Sequence, residues 1–99
     1  MSEIKFSWDE RKNTSNKKKH GLSFQEAVTV FHDENARLIP DPSHSLEEDR
    51  FILLGISSKL RVLIVCHCYR EKEQLVRIIS ARKATRQEKQ QYEDLSHER

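Results

Sequence analysis

Arg77-Ile-Ile-Ser-Ala-Arg-Lys-Ala-Thr-Arg-Gln-Glu88 packs a buried strand, a basic cluster and a helix start into twelve residues. In a regular extended chain Val76, Ile78, Ser80 and Arg82 fall on one side and Arg77, Ile79 and Ala81 on the other, so an apolar strand carries polar groups out at its C-terminal end. Thr85 then reads as an N-cap. Its hydroxyl can accept from the backbone N–H of Glu88 while the Glu88 carboxylate accepts from the N–H of Thr85, the capping box that opens a helix. Arg82, Lys83 and Arg86 gather at this strand-to-helix junction. A helix N-terminus offers free N–H groups to an anion, so the added cations make either a phosphate-binding corner or a set of solvated charges flanking a buried strand.

Immediately upstream, Phe51 to Ile56, Leu60 to Val65 and Leu75 to Ile79 are dense apolar runs in a chain that is 35% hydrophobic and 34% charged, and such clustering argues against disorder. They predict strands over 50–57, 61–69 and 74–81. The links at 58–60 and 70–73 are too short for a parallel crossover, so the three strands form an antiparallel meander. Residues 51–56 and 62–65 lack clean alternation, which implies a sheet covered on both faces for part of its length. Downstream, a helix from Arg86 to about Ser96 has only Tyr92 and Leu95 as substantial apolar residues and is expected to need a partner to settle.

The N-terminal third supplies the cover for one face. Residues 4–8 alternate as a short strand, Asp9 is an N-cap, and a first helix runs from Glu10 to His20 with Gly21 at the left-handed C-cap. Its composition is almost wholly polar, so it buries little beyond aliphatic stems, although Asn13, Asn16, Lys17 and His20 share one side. His20 either serves chemistry or caps the helix end, where a cation is favoured. Ser23 to Glu26 is a second capping box, with Leu22 and Ala27 as its hydrophobic staple, and Phe24, Ala27, Val28 and Phe31 lay an apolar stripe on the core. A short strand over 36–39 is ended by Pro40 and Pro42, and 41–49 is an acidic loop. The expected fold class is α+β: an antiparallel sheet of about four to five strands in β-α-α-β-β-β-β-α order, two N-terminal helices packed on it, and a C-terminal helix.

Ninety-nine residues suit one domain, 1–99. No apolar run approaches eighteen residues and the N-terminus is not signal-like, which implies a cytoplasmic protein with no membrane contact. The formal charge is only +2, but it is partitioned: +3 over residues 1–20, −5 over 32–49 and +7 over 50–86. Such segregation can build a surface that attracts a polyanion.

Few motifs offer chemistry. Cys66-His67-Cys68 resembles a metal site, yet alternation puts His67 opposite the cysteines and there is no second Cys/His pair, so no structural zinc and no cofactor are expected. The two cysteines read as reduced packing. His67 shares a strand face with Leu63, Val65 and Tyr69. A histidine beside arginines is sufficient for metal-free RNA cleavage: a base takes the 2′-OH proton, cations stabilise the pentavalent phosphate, and an acid protonates the leaving 5′-oxygen. A histidine hydrogen-bonded within the sheet is the alternative.

Phe6-x-Trp8-Asp9, Asn16 with Lys19-His20-Gly21, Ser23-Phe24-x-Glu26-Ala27, Asp41-Pro42, Glu48 with Arg50, Gly55-x-Ser57, Arg61, and Arg77 through Thr85 with Glu88 and Tyr92 together resemble the BrnT toxins of type II toxin-antitoxin systems, in order and spacing, over nearly the whole chain. The resemblance implies a small bacterial ribonuclease with a RelE-like fold that stops translation and growth. It also implies neutralisation by a BrnA-like antitoxin carrying a ribbon-helix-helix DNA-binding domain, the pair repressing its own operator DNA. On that resemblance the catalytic candidates are His67, Arg77, Arg82 and Ser80. His67 is the expected acid or base, Arg77 and Arg82 hold the scissile phosphate, and Arg50, Arg61, Lys83, Arg86, Lys17, Lys18 and Lys19 contact RNA. The alternative is a non-catalytic nucleic-acid- or partner-binding module acting as co-repressor with the antitoxin.

Overall fold

The computed structural model describes residues 4–42, 49–72 and 74–97. Glu48 and most of the acidic loop lie outside the described residues. The chain runs β1 (Lys5–Ser7), α1 (Glu10–His20), α2 (Phe24–Thr29) with a closing 3-10 turn (Val30–His32), β2 (Arg37–Pro40), β3 (Arg50–Ile56), β4 (Val62–Arg70), β5 (Leu75–Lys83) and α3 (Arg86–His97). The five strands form one sheet in the order β1-β5-β4-β3-β2. Strands β3 to β5 are the antiparallel meander that the short links required, and β2 extends it antiparallel to β3. The wholly antiparallel sheet expected from the sequence is corrected at one edge. There β1 runs parallel to β5, with Lys5 opposite Leu75 and Ser7 opposite Arg77. Two helices separate β1 from the meander and free its direction, which alternation alone does not encode.

Both faces of the sheet are covered. On one, Leu22, Phe24, Ala27 and Val30 of the α2 region close over Leu53, Leu63, Val65, Val76, Ile78 and Ala81, all at most 7% exposed. On the other, α3 seats Tyr92 against Leu54, Ile64 and Ala84. The last helix therefore settles on its own sheet rather than waiting for a partner: the Tyr92 hydroxyl donates to Asp33 Oδ2 at 2.6 Å, and the same oxygen accepts the Ile56 N–H at 2.9 Å. Gly55 is required at this junction. A Cβ there would meet Ala36 Cβ and Val30 Cγ1 at 2.9 Å, closer than atoms of a packed interior approach.

Helix α1 departs from the expectation of a helix that buries only stems. It docks through asparagines, with Asn13 and Asn16 buried. β1 pairs only with residues 75–77 of β5, which leaves the rest of that strand edge unpaired by backbone. Asn16 fills the gap: its Nδ2 donates to the Ala81 carbonyl at 2.8 Å and its Oδ1 accepts the Ala81 N–H at 3.1 Å, as a neighbouring strand would. The same Nδ2 donates to the Leu22 carbonyl at 3.0 Å. Asn13 Oδ1 accepts the Phe24 N–H at 2.8 Å, tying α1 to the start of α2. Each buried amide is thus satisfied, and a polar helix is held without a hydrophobic stripe.

Candidate functional site

The face parity of β5 decides which side chains meet. Strict alternation grouped Ser80 and Arg82 with Val76 and Ile78. Instead, the β4–β5 register slips by one residue: Cys66 lies opposite Ser80, but His67 lies opposite Ile78, so Ile79 is a bulge. One extra residue exchanges the faces. Val76, Ile78 and Ala81 all enter the core, while Arg77, Ser80 and Arg82 come to the α3 face. Directly paired residues share a face, so the register builds three rows across β3, β4 and β5: Arg50–Cys68–Arg77, Ile52–Cys66–Ser80 and Leu54–Ile64–Arg82.

The middle row, with Arg50 and with Ile64 and Arg82 of the last row, floors a cleft of about 340 Å³ lined by His20, Asp41, Arg50, Ile52, Ile64, Cys66, Ile79, Ser80, Ala81 and Arg82. Helix α1 brings in His20, one turn beyond Asn16 and its grip on Ala81. His20 was read as chemistry or a helix cap; the shared side of Asn13, Asn16 and His20 was the signal for its place here. Asp41, from the loop after β2, is 8% exposed, and Cys66 Sγ donates to its Oδ2 at 3.6 Å. Burial first, and then the charge of Asp41, push the Cys66 thiol up to about 11. It stays protonated at neutral pH, which removes it as a nucleophile.

Arg82 is held in place before any ligand arrives. Its Nη1 and Nη2 donate to Glu88 Oε1 and Oε2 at 2.8 and 3.0 Å. The capping box is complete: Glu88 Oε1 accepts the Thr85 N–H at 2.8 Å and Thr85 Oγ1 accepts the Glu88 N–H at 3.1 Å. The hydrogen bonds from Arg82 above all hold the Glu88 carboxyl down to about 2. The phosphate corner expected at the start of α3 is therefore occupied by the chain's own carboxylate, and Arg82 faces the cleft from beside it.

The other expected site residues divide. Arg77 shares the row of Arg50, next to the cleft. Lys17, Lys18 and Lys19 are exposed in the last turn of α1, flanking His20. Arg86 is exposed at the first position of α3. Lys83 pairs with Leu63, a residue of the α2-side core, so it leaves the face that carries Arg82.

Arg61 does not line the cleft and is engaged by a carboxylate of α2. Its Nε donates to Glu26 Oε2 at 3.0 Å and its Nη2 to Oε1, while Ser57 Oγ donates to Oε2 at 2.7 Å. Burial pushes the Glu26 carboxyl up, but these bonds and the guanidinium charge outweigh it and hold the group below the ordinary range.

His67 is corrected as acid or base. It is 0% exposed on the α2 face, opposite the arginine rows, edge-on to Phe31 and Tyr69 with centroids 4.9 and 5.2 Å away. Its ring nitrogens lie 3.2 Å from the Val65 carbonyl and 3.2 Å from the Tyr69 hydroxyl. Burial pulls its pKa below the ordinary 6.5, so the neutral imidazole is favoured in the core.

Among the described residues no helix is long and apolar enough to cross a membrane, and no three His, Cys, Asp or Glu side chains converge as a metal-binding group. No curated protein shows a match to the chain. The crystal structure of the Brucella abortus ribonuclease toxin BrnT is similar at a TM-score of 0.66 and 26% identity, over 84% of this chain and 99% of that one. Residues 8–88, from the end of β1 to the glutamate that holds Arg82, match the family described as the ribonuclease toxin BrnT of type II toxin-antitoxin systems. With that match running through α1, the bulged β5 and the cleft between them, the chain belongs to the BrnT family of ribonuclease toxins.

Proposed function

We propose that the cleft between α1 and the bulged β5 binds a single strand of RNA and cuts it without a metal, in the cytoplasm, to stop translation and growth. The observation that carries this reading is the Ile79 bulge, which turns Ser80 and Arg82 onto the face of Arg50 and Arg77, in the cleft that His20 also lines. Arg50, Arg77 and Arg82 clamp the scissile phosphate, where forked guanidinium donors suit its oxygens and stabilise the added charge as phosphorus becomes pentavalent. Ser80, exposed in the floor of the cleft, orients a phosphate oxygen.

The nucleophile is the ribose 2′-oxygen. Its proton passes to a base, the new P–O bond closes a 2′,3′-cyclic phosphate, and the bond to the 5′-oxygen breaks as that oxygen takes a proton. His20 is the imidazole of the cleft and is assigned proton transfer in place of His67. Lys17 to Lys19 add sequence-independent attraction to the backbone. Family membership supports an antitoxin as protein partner. We assign that role to a BrnA-like protein with a ribbon-helix-helix domain, through which the complex reaches operator DNA.

Purified toxin, with chelator present, is incubated with an RNA oligonucleotide, and product ends are read by mass. Wild-type protein leaves 2′,3′-cyclic ends, and Arg82→Ala and His20→Ala each slow cleavage about 100-fold while the fold is kept. Undiminished cleavage in both variants would reject the cleft. No cleavage by folded wild type would leave a binding module that acts with the antitoxin as co-repressor.

A further inference from the structure

The turn joining β3 to β4 holds a leucine where the chain least favours one. Leu60 has φ 61°, a left-handed conformation that a side chain with a Cβ adopts at a cost, and glycine or asparagine is the usual occupant. Its N–H donates to the Ser57 carbonyl at 2.9 Å, which holds the turn in that shape. The side chain is 80% exposed, the most exposed large apolar residue among those described. Nothing in the fold is gained from it: the core does not include it.

Leu60 is also not isolated. It lines a groove with Ile56 and Val62, whose rim carries Lys83, Lys89, Arg61 and Glu93. The Arg61 charge is already matched by Glu26, so Lys83 and Lys89 against Glu93 leave the rim with a net charge of +1. The groove lies beside the proposed RNA cleft without being part of it. Lys83 follows Arg82 on β5, and Lys89 follows the Glu88 that holds Arg82.

We propose that this groove is a docking surface for the antitoxin, through an amphipathic segment that lays apolar residues over Ile56, Leu60 and Val62 and sets carboxylates against Lys83 and Lys89. The proposal rests on the toxin reading above, which supplies the protein partner. Two observations select a protein of that chemistry. The rim is basic, which calls for an acidic partner. The floor is aliphatic, which a phosphate backbone would leave uncovered and an amphipathic segment would bury. A large exposed side chain kept in a costly conformation is the form expected of an anchor that gains its contacts only in the complex.

The test compares affinity with stability, using the full toxin and its purified cognate antitoxin. Leu60→Gly relieves the backbone conformation, so its Tm stays level or rises by up to about 5 °C, while antitoxin affinity falls at least tenfold. Lys89→Glu weakens the same affinity at least tenfold and flattens its salt dependence, and both variants keep wild-type cleavage of the RNA oligonucleotide. Wild-type affinity in both variants would overturn the docking surface while leaving the toxin reading intact. Loss of RNA cleavage in Leu60→Gly with antitoxin affinity unchanged would also overturn it, and would make the groove part of the RNA path. A folded wild-type chain that binds no antitoxin would overturn the neutralised-toxin reading and this surface with it.

Discussion

Glu26 and Glu88 occupy the same position of the same motif, the third residue after a Ser or Thr helix cap, and the fold uses them in opposite ways. In α2 the Ser23 hydroxyl accepts the Glu26 N–H at 3.1 Å, but the Glu26 carboxylate turns away from the cap and into the protein, where Arg61 and Ser57 hold it with its side chain 2% exposed. In α3 the Glu88 carboxylate reaches back to Thr85 as the motif predicts and still grips Arg82, with 25% of its side chain exposed against 42% for the arginine. Both arginines sit in carboxylate forks. Burial separates them: the Glu26 pair ties α2 to the β3–β4 turn, whereas the Glu88 pair aims a cation at the rim of a cleft. An arginine near the surface therefore says little about nucleic acid until the carboxylate behind it is located.

The largest effect expected of this contrast is on stability. Arg61→Ala strands the Glu26 carboxylate among buried groups, and removing one partner of a buried pair costs about 3 kcal/mol or more. Denaturant unfolding followed by circular dichroism measures it. The companion variant Glu26→Gln, Arg61→Leu, which removes both charges and keeps an acceptor for Ser57, should recover much of the loss. An Arg61→Ala protein within about 0.5 kcal/mol of wild type would place this pair with ordinary surface ion pairs and end the distinction.

Next in size is an effect on rate alone. Arg82→Lys keeps the charge but gives up the planar fork, which can grip Glu88 and a phosphate together, so cleavage should slow about tenfold, or about 1.4 kcal/mol, with unfolding nearly unchanged. Equal rates for the two proteins would mean that only charge matters there, and that the Glu88 fork does not prepare Arg82 for a substrate.

Much of this fold was legible from one-dimensional signals. All three helix starts, the Gly21 cap with its φ of 69° and N–H bond to the Lys17 carbonyl, and the antiparallel meander followed from spacing and link length. What alternation could not show was the bulge. A single extra residue at Ile79 leaves local composition untouched yet moves Ser80 and Arg82 to the other face, the one that already carries Arg77. His67 was misread for a related reason. Its strand face was predicted correctly, but which face α2 would bury depends on contacts with Phe31 and Phe51, distant in sequence. Asn16 was visible only as a polar residue on the His20 side of α1; its pairing with Ala81, 65 residues away, belongs to the assembled sheet. Long-range pairing, rather than local propensity, carried the information about the site.

The smallest effect expected is on pH dependence, and it isolates the Glu88 pair. A carboxyl held at about 2 in the folded chain but near 4.5 when unfolded leaves the folded state binding fewer protons between those values, so its contribution is complete above pH 4.5 and is lost as the pH falls toward 2. His67 acts earlier: its folded pKa lies below 6.5, so the unfolded chain takes up the proton first and stability begins to decline once the pH drops below 6.5. Comparing wild type with Glu88→Gln cancels the histidine, which both proteins share. The difference should be about 1 kcal/mol in favour of wild type at neutral pH, a modest figure because the pair is partly solvated, and should shrink toward zero below pH 4.5. Urea unfolding from pH 7 down to pH 3 measures it. A difference that is constant across that range would assign the loss in Glu88→Gln to the Thr85 cap, which an amide can partly keep, and would remove the charge of the Arg82 pair from the stability of the fold.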